Sequence, residues 1–266
     1  MVFPIGVLGI DFGTRAHLLS MGERMGGAPN PRDFQHLAPY LLERPADAAE
    51  LIWTLNLDAE TNPIYAIMPA GPFARDGYEL LVRILLEQVE EGVTHVSMPG
   101  VISGSTRLMS GQIVPTIVPS VRGVHSWSIP ALVEAVCGAS PAENASKATK
   151  DGYSRKLESV ANCVTRLTDE VRSLGNTPEE RARNCAATNA LNVGQVIDSA
   201  LREKLALDTI TEERIASPAG SDYWDVKLTF FNPIESSSSR KVYRITVDIA
   251  DVCPVMVGRV RSWYIR

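Results

Sequence analysis

Gly9-Ile10-Asp11-Phe12-Gly13-Thr14 has the residue types and order of a phosphate loop. An Asp at the end of a strand can hold a hydrated metal, and a glycine turn can present backbone N–H groups to phosphate. An ATPase of the two-lobed kind needs that loop twice, and no second Asp–Gly loop precedes another Gly-rich turn. Strand, turn and helix cap is the simpler reading. No GxSxG elbow is present. His17, His36, His95 and His125 are scattered, with no HExxH and no spaced Cys/His cluster. A zinc site assembled from distant residues, such as Cys137 with His125, is the metal arrangement left open. Two further stretches carry binding rather than reaction chemistry. Arg122-Gly123-Val124-His125-Ser126-Trp127 combines a cation, a titratable ring and an indole, and Arg259-Val260-Arg261-Ser262-Trp263-Tyr264 repeats the theme at the C-terminus. Arg, Trp and Tyr dominate binding hot spots. The structural counterpart is an Arg stem covering a core aromatic.

The elements that must position these residues follow from periodicity. Residues 5–10 and 63–68 read as strands. A helix is predicted from Pro31 with Asn30 as its cap, and another from Pro45 through Leu51, Ile52 and Trp53. Tyr78, Leu81, Leu85 and Val89 mark an amphipathic helix over 74–91, and 93–98 is the next strand. The helix between those strands permits a parallel pair. Residues 99–127 suit short strands and tight turns, and 128–137 reads as helix. Ala139–Gly152 has no apolar period and reads as a linker or long loop. Leu157, Val160, Val164, Leu167, Val171 and Leu174 form one face of a long helix that Gly175 stops. Thr177-Pro178-Glu179-Glu180 is a capping box opening a second helix to about Lys204. The two form a helical hairpin over 155–205. Val226, Leu228 and Phe230 alternate on one strand, and Tyr243, Ile245, Val247 and Ile249 on another, with a turn at Ser236–Ser239 and one or two strands over 255–265. The fold class is α+β: helices packed on a mixed or antiparallel sheet, a long central helical hairpin and a C-terminal β-meander.

The chain has 266 residues, 45% of them hydrophobic and 21% charged, with a formal net charge of −5. That excludes a disordered chain and argues against a general nucleic-acid binder. No run of 18 apolar residues exists, so no membrane span is expected. Charge is uneven: residues 1–138 carry 8 Lys and Arg against 14 Asp and Glu, and 139–266 carry 18 against 17. This shift divides the chain into an α/β part (1–138), a linker or loop (139–152) and a hairpin-plus-sheet part (153–266), or one compact domain overall. Residues 240–266 carry six Lys and Arg against two acids. Cys137, Cys163, Cys185 and Cys253 never form CxxC. They read as small buried hydrophobes in a reducing cytoplasm that do not share one site.

Several stretches carry a resemblance. They are Asn62–Ile67, Gly71–Ala74, Val96–Gly100, Arg122–Trp127, Ala131–Gly138, Ala186–Ala190, Trp224–Phe231 and Arg259–Tyr264. Together they resemble the C-terminal domain of the PatG-type cyanobactin maturation proteins over nearly the whole chain, and Gly9–Thr14 fits as well. In that family the domain follows a subtilisin-like protease that macrocyclises a ribosomally made peptide. The domain itself has no assigned function or catalytic residues. No Asp/His/Ser protease set is present here, so protease activity does not carry over and the domain would act in trans.

The resemblance implies an accessory, non-catalytic protein in the biosynthesis of a ribosomally synthesised, post-translationally modified peptide. Its expected partner is the precursor peptide or a maturation enzyme of the same pathway, with a homodimer as a further arrangement and neither nucleic acid nor membrane. The alternatives are an undescribed enzyme acting on that peptide, metal-dependent in one form, and an actin-like ATPase. No catalytic residues and no cofactor are assigned; zinc is the one metal entertained. The binding candidates are Arg259, Arg261, Trp263 and Tyr264, then Arg122, His125 and Trp127. Arg259, Arg261 and Trp263 are expected in a row on one strand face.

Overall fold

The computed structural model describes residues 1–27, 30–57, 62–142, 144–171, 173–216, 218–234 and 239–266. The side chains at 159, 163, 164, 166–171, 190–193, 195 and 201 lie outside that description. The chain forms two compact units, Met1–Ser128 and Ile129–Arg266.

The first unit is built on a seven-stranded sheet. Its strands are β1 (Ile5–Asp11), β2 (Ile52–Asn56), β3 (Pro63–Ile67), β4 (His95–Ser97), β5 (Gly100–Arg107), β6 (Ile113–Pro119) and β7 (His125–Trp127). The order is β5-β6-β3-β2-β1-β4-β7, antiparallel except for β3 with β6. The helices are α1 (Arg15–Arg24), α2 (Phe34–Glu43), α3 (Pro45–Ala48) and α4 (Ala74–Glu90). Helix α4 buries Leu81, Val82, Ile84 and Leu85 in one core with Leu37, Ala38 and Leu41 of α2 and with Leu8, Trp53, Leu55 and Ile67 of the sheet. Gly9 lets β1 lie close to β2, since a Cβ there would stand 2.4 Å from Asn56 Nδ2. β4 covers only Ile5 and Gly6 of β1. Beyond it, Gln88 of α4 acts as a surrogate strand: Leu8 N donates to its Oε1 at 2.9 Å, and its Nε2 donates to Leu8 O at 3.0 Å.

Three expectations change here. Asp33, not Asn30, caps the second helix: its carboxylate accepts from Gln35 N, and Pro31 stays in the preceding turn. The helix from Pro45 ends at Ala48, and Ile52 and Trp53 enter β2. A Trp buried in the sheet interior, its indole N–H donating to Ala48 O at 2.8 Å, decides that segment over its helical pattern. The strands flanking α4 do not pair: β3 goes to β6 and β4 to β1.

The second unit contains α5 (Ile129–Cys137), α6 (Lys147–Val171), α7 (Pro178–Thr188) and α8 (Ala190–Arg202). They are followed by β8 (Ala206–Arg214), β9 (Tyr223–Phe231), β10 (Arg240–Asp248), β11 (Val255–Met256) and β12 (Arg261–Ile265). The antiparallel sheet runs β11-β10-β9-β8, with β12 also on β10. Trp224, Val226, Leu228 and Phe230 of β9 and Tyr243, Ile245 and Val247 of β10 are buried. Small residues Ala182 and Ala186 of α7 let that helix lie on the sheet, and Tyr243 Oη donates to Ser199 of α8 at 2.8 Å.

Composition places the divide at 138, whereas the contacts place it at Ser128, because α5 packs on α6 and α8. Within the expected linker, Lys147–Gly152 form the start of α6. Ser146 caps it, its Oγ accepting from Thr149 N at 3.2 Å. The side of α6 turned inward carries half-buried Tyr153 and Lys156 and buried Val160, while Leu157 and Leu174 are exposed. Tyr153 Oη donates to Gly138 O, and Lys156 Nζ donates to the Val136 and Cys137 carbonyls, so α6 satisfies the C-terminus of α5. Val164, Leu167 and Val171 fall outside the described side chains, as does most of the Ser236–Ser239 turn. The helix expected to reach Lys204 breaks at Asn189 into α7 and α8. β8 is a strand that the sequence does not announce: it carries Asp208, Glu212 and Glu213, and only pairing with β9 extends it.

Candidate functional site

β12 lies on the outer flank of β10, and its five residues are all exposed. The register sets Arg261 opposite Arg244, Trp263 opposite Val242 and Ile265 opposite Arg240. Tyr243 reaches α8, so these residues face away from the helices by the period of two. The result is an apolar strip, Trp263 and Ile265, rimmed by Arg240, Arg244 and Arg261. Trp263 is 38% exposed, and the Arg244 guanidinium lies 6.0 Å above its ring. Arg244 Nη1 is 3.3 Å from Asp225 Oδ2, and Thr246 Oγ1 donates to Asp225 Oδ1 at 2.6 Å. A buried carboxylate thus fixes the arginine that covers the indole. Arg240 pairs with Asp208 at 3.1 Å. Among the described residues Arg261 is in no ion pair and presents its charge to solvent.

Arg259 departs from the expected row. Gly258, at φ +76, turns the chain, and β12 begins two residues after Arg259. Tyr264 points to the opposite face. Its hydroxyl donates to Glu203 Oε2 at 2.6 Å, and Lys241 ion-pairs with the other oxygen of that carboxylate while lying 5.4 Å from the Tyr264 ring. Bonds from Lys241 and then Tyr264 hold the Glu203 carboxyl below the usual carboxylate range. The same contact, with burial, pushes the Tyr264 phenol up. Tyr264 therefore clips β12 to the end of α8.

The second set lies in the first unit. His125 and Trp127 are on β7, an edge strand paired with β4, and Arg122 is exposed in the turn before it. Trp127 stacks on buried His95, with centroids 5.6 Å apart and planes 19° apart. Ser126 Oγ donates to Glu87 at 2.7 Å. Trp127 is thus used in packing, and His125 alone of the three both lies on the strand and is exposed.

Two further chemistry-bearing residues, Asp11 and Cys185, are held by contacts within the fold. Asp11 Oδ1 accepts from Gly13 N at 2.6 Å and Met109 N at 2.9 Å, tying β1 to the β5–β6 turn. Gly13 takes φ +68, and Thr14 caps α1. Burial pushes the Cys185 thiol up to about 12, and its Sγ donates to Pro254 O. Among the described residues, no three His, Cys, Asp or Glu side chains gather to hold a metal ion. No described helix is long and apolar enough to cross a membrane. A hollow of about 320 Å³ beside α2 and α4 is lined by Leu41, Leu42, Pro45, Glu79, Val82 and Arg83.

Arg261 and Trp263 of the strip are legible in the sequence by residue type and alternation, whereas the turn at Gly258 that removes Arg259 from the row is not. Nor are Arg244 and Arg240, because their place beside Trp263 depends on the β10–β12 register. Comparison with known proteins supplies the lineage. No curated protein matches the chain. The family model described as PatG C-terminal matches residues 151–263, most of the second unit. A solved structure titled "PatG Domain of Unknown Function" is 33% identical, covers 99% of this chain and 98% of its own, and superposes with a TM-score of 0.86. With both units matched at that identity, the chain belongs to the family of PatG C-terminal domains.

Proposed function

We propose that the chain is an accessory, non-catalytic binding protein of a cyanobactin-like pathway in the cytoplasm, and that β12 receives an extended segment of the precursor peptide or of a maturation enzyme. The observation that carries this reading is the five-residue exposed edge strand with Trp263 and Ile265 set between Arg240, Arg244 and Arg261. A peptide strand added to a sheet edge gains backbone hydrogen bonds, and alternate side chains supply specificity. An acidic–apolar segment fits: its carboxylates meet arginines, which bind them bidentately, and its apolar residues meet the indole. The overall acidity of the chain makes this local basic strip selective. In a titration of the labelled precursor peptide against the full chain, Arg261→Ala with Trp263→Ala should weaken binding by roughly 5- to 150-fold, with circular dichroism unchanged. Unchanged affinity in the folded double variant would remove β12 from consideration, and β7 with Arg122, His125 and Trp127 would take its place.

A further inference from the structure

Backbone hydrogen bonds decide which groups β12 has left to offer. β9 occupies one edge of β10 from Lys241 to Asp248, so β11 and β12 share the other. On that shared edge, Val257 N donates to Thr246 O at 2.8 Å; on the β9 side, Ile249 N donates to Asp222 O at 3.0 Å. The even-numbered residues of β10 therefore point their N–H and C=O groups toward β12. Through the register with Arg244, Val242 and Arg240, the residues Arg261, Trp263 and Ile265 direct theirs back to β10. Ser262 and Tyr264 turn theirs outward. The β10–β12 pairing runs from Arg240 to Arg244 without a register shift, and β10 is the only strand partner of β12 among the described residues. The open row is thus unbulged, with two residues ready to pair.

The side chains on the outer face are ordered as well. Along β12 they run Arg261, Trp263, Ile265, all exposed. Arg244 and Arg240 flank them from β10, but each is already held by an acid, Asp225 and Asp208. Arg261 is in no ion pair among the described residues. The uncommitted charge therefore sits at one end of the strip, the indole in the middle and an aliphatic side chain at the other end.

Resting on the reading of β12 as a peptide-receiving edge, we propose that it selects a segment by order as well as by composition. The segment reads apolar, any, apolar, any, acid from its N- to its C-terminus, and it pairs antiparallel. Every strand pair of this unit is antiparallel, and that pairing is the more stable per residue. In it, the two "any" residues exchange backbone bonds with Tyr264 and Ser262. The other three stand opposite Ile265, Trp263 and Arg261 in the non-hydrogen-bonded pairs, where Cα atoms approach to about 4.5 Å and side chains are closest. The acid then meets the uncommitted guanidinium, which binds carboxylate bidentately. The reversed segment would set its acid against Ile265 and an apolar side chain against Arg261.

Fluorescence anisotropy of the full chain with two labelled synthetic peptides tests this. One carries Val-Thr-Val-Thr-Glu and the other Glu-Thr-Val-Thr-Val, in identical capped Gly-Ser flanks. The first should bind about tenfold more tightly. Arg261→Glu, folded by circular dichroism, should abolish that preference, and replacing the peptide's Glu by Lys should recover affinity for this variant. Methylating the backbone nitrogen of either Thr should abolish binding, whereas methylating that of the central Val, which faces away from β12, should not. Equal affinity for the two orders, tighter binding of the reversed one, or binding of neither would overturn the order. Hydrogen exchange at Ser262 and Tyr264 with the precursor peptide separates that failure from failure of the site. Slowed exchange would leave peptide capture by β12 standing, and unchanged exchange would remove it as well.

Discussion

Trp263 and Tyr264 follow one another in β12 and face opposite sides of it. Trp263 is held beneath Arg244, whose charge is anchored by buried Asp225. Tyr264 shares Glu203 with Lys241. Both aromatics are visible in the sequence within Arg259–Tyr264, but the division of labour is not, since Lys241, Arg244 and Glu203 come from other elements. The Glu203 contact has a pH signature. Its carboxyl titrates lower in the folded chain than in the unfolded one. Its stabilisation is therefore complete above the unfolded value, about 4.3, and is lost as pH falls through the lower folded value. The stability difference between wild type and Glu203→Gln, measured by denaturant unfolding, should be full at neutral pH and shrink in acid. A difference that stays constant down to the acid limit would show that Glu203 is not the titrating clip.

The helices and strands differ in how far local chemistry decides them. Thr177-Pro178-Glu179-Glu180 is legible because every contact of a capping box is local. Thr177 Oγ1 accepts from Glu180 N, and the Glu180 carboxylate accepts from Thr177 N. Thr177→Ala should cost about 1 kcal/mol of unfolding free energy. Chemical denaturation measures it, and a change near zero would mean that α7 is fixed by its packing on the sheet alone. The end of that helix is less legible. The apolar pattern continues past Asn189, yet Thr188 Oγ1 bonds back to Asn184 O and the helix breaks there. β8 is hidden for the opposite reason: its acids obscure a strand that exists through its pairing with β9 and through ion pairs such as Glu212 with Arg183. Ile52 and Trp53 fit a helical period but are claimed by the sheet core.

At the level of the whole chain, the α+β class was legible in the alternation of periods, and the lineage in its scattered motifs. The strand order was not, because β1–β4 and β3–β6 are non-local pairings. That order leaves edges of distinct chemistry: one at β5, bulged between Ile102 and Gly104, and one rimmed with arginine at β12. The binding proposal stands on the second. Hydrogen exchange with mass spectrometry, on the full chain with and without the precursor peptide, tests it most directly. Pairing of a peptide with β12 predicts slowed exchange of the amides of Ser262–Ile265 on addition of peptide, and no slowing at His125–Trp127. Unchanged exchange at β12 at saturating peptide, or slowing confined to β7, would contradict it.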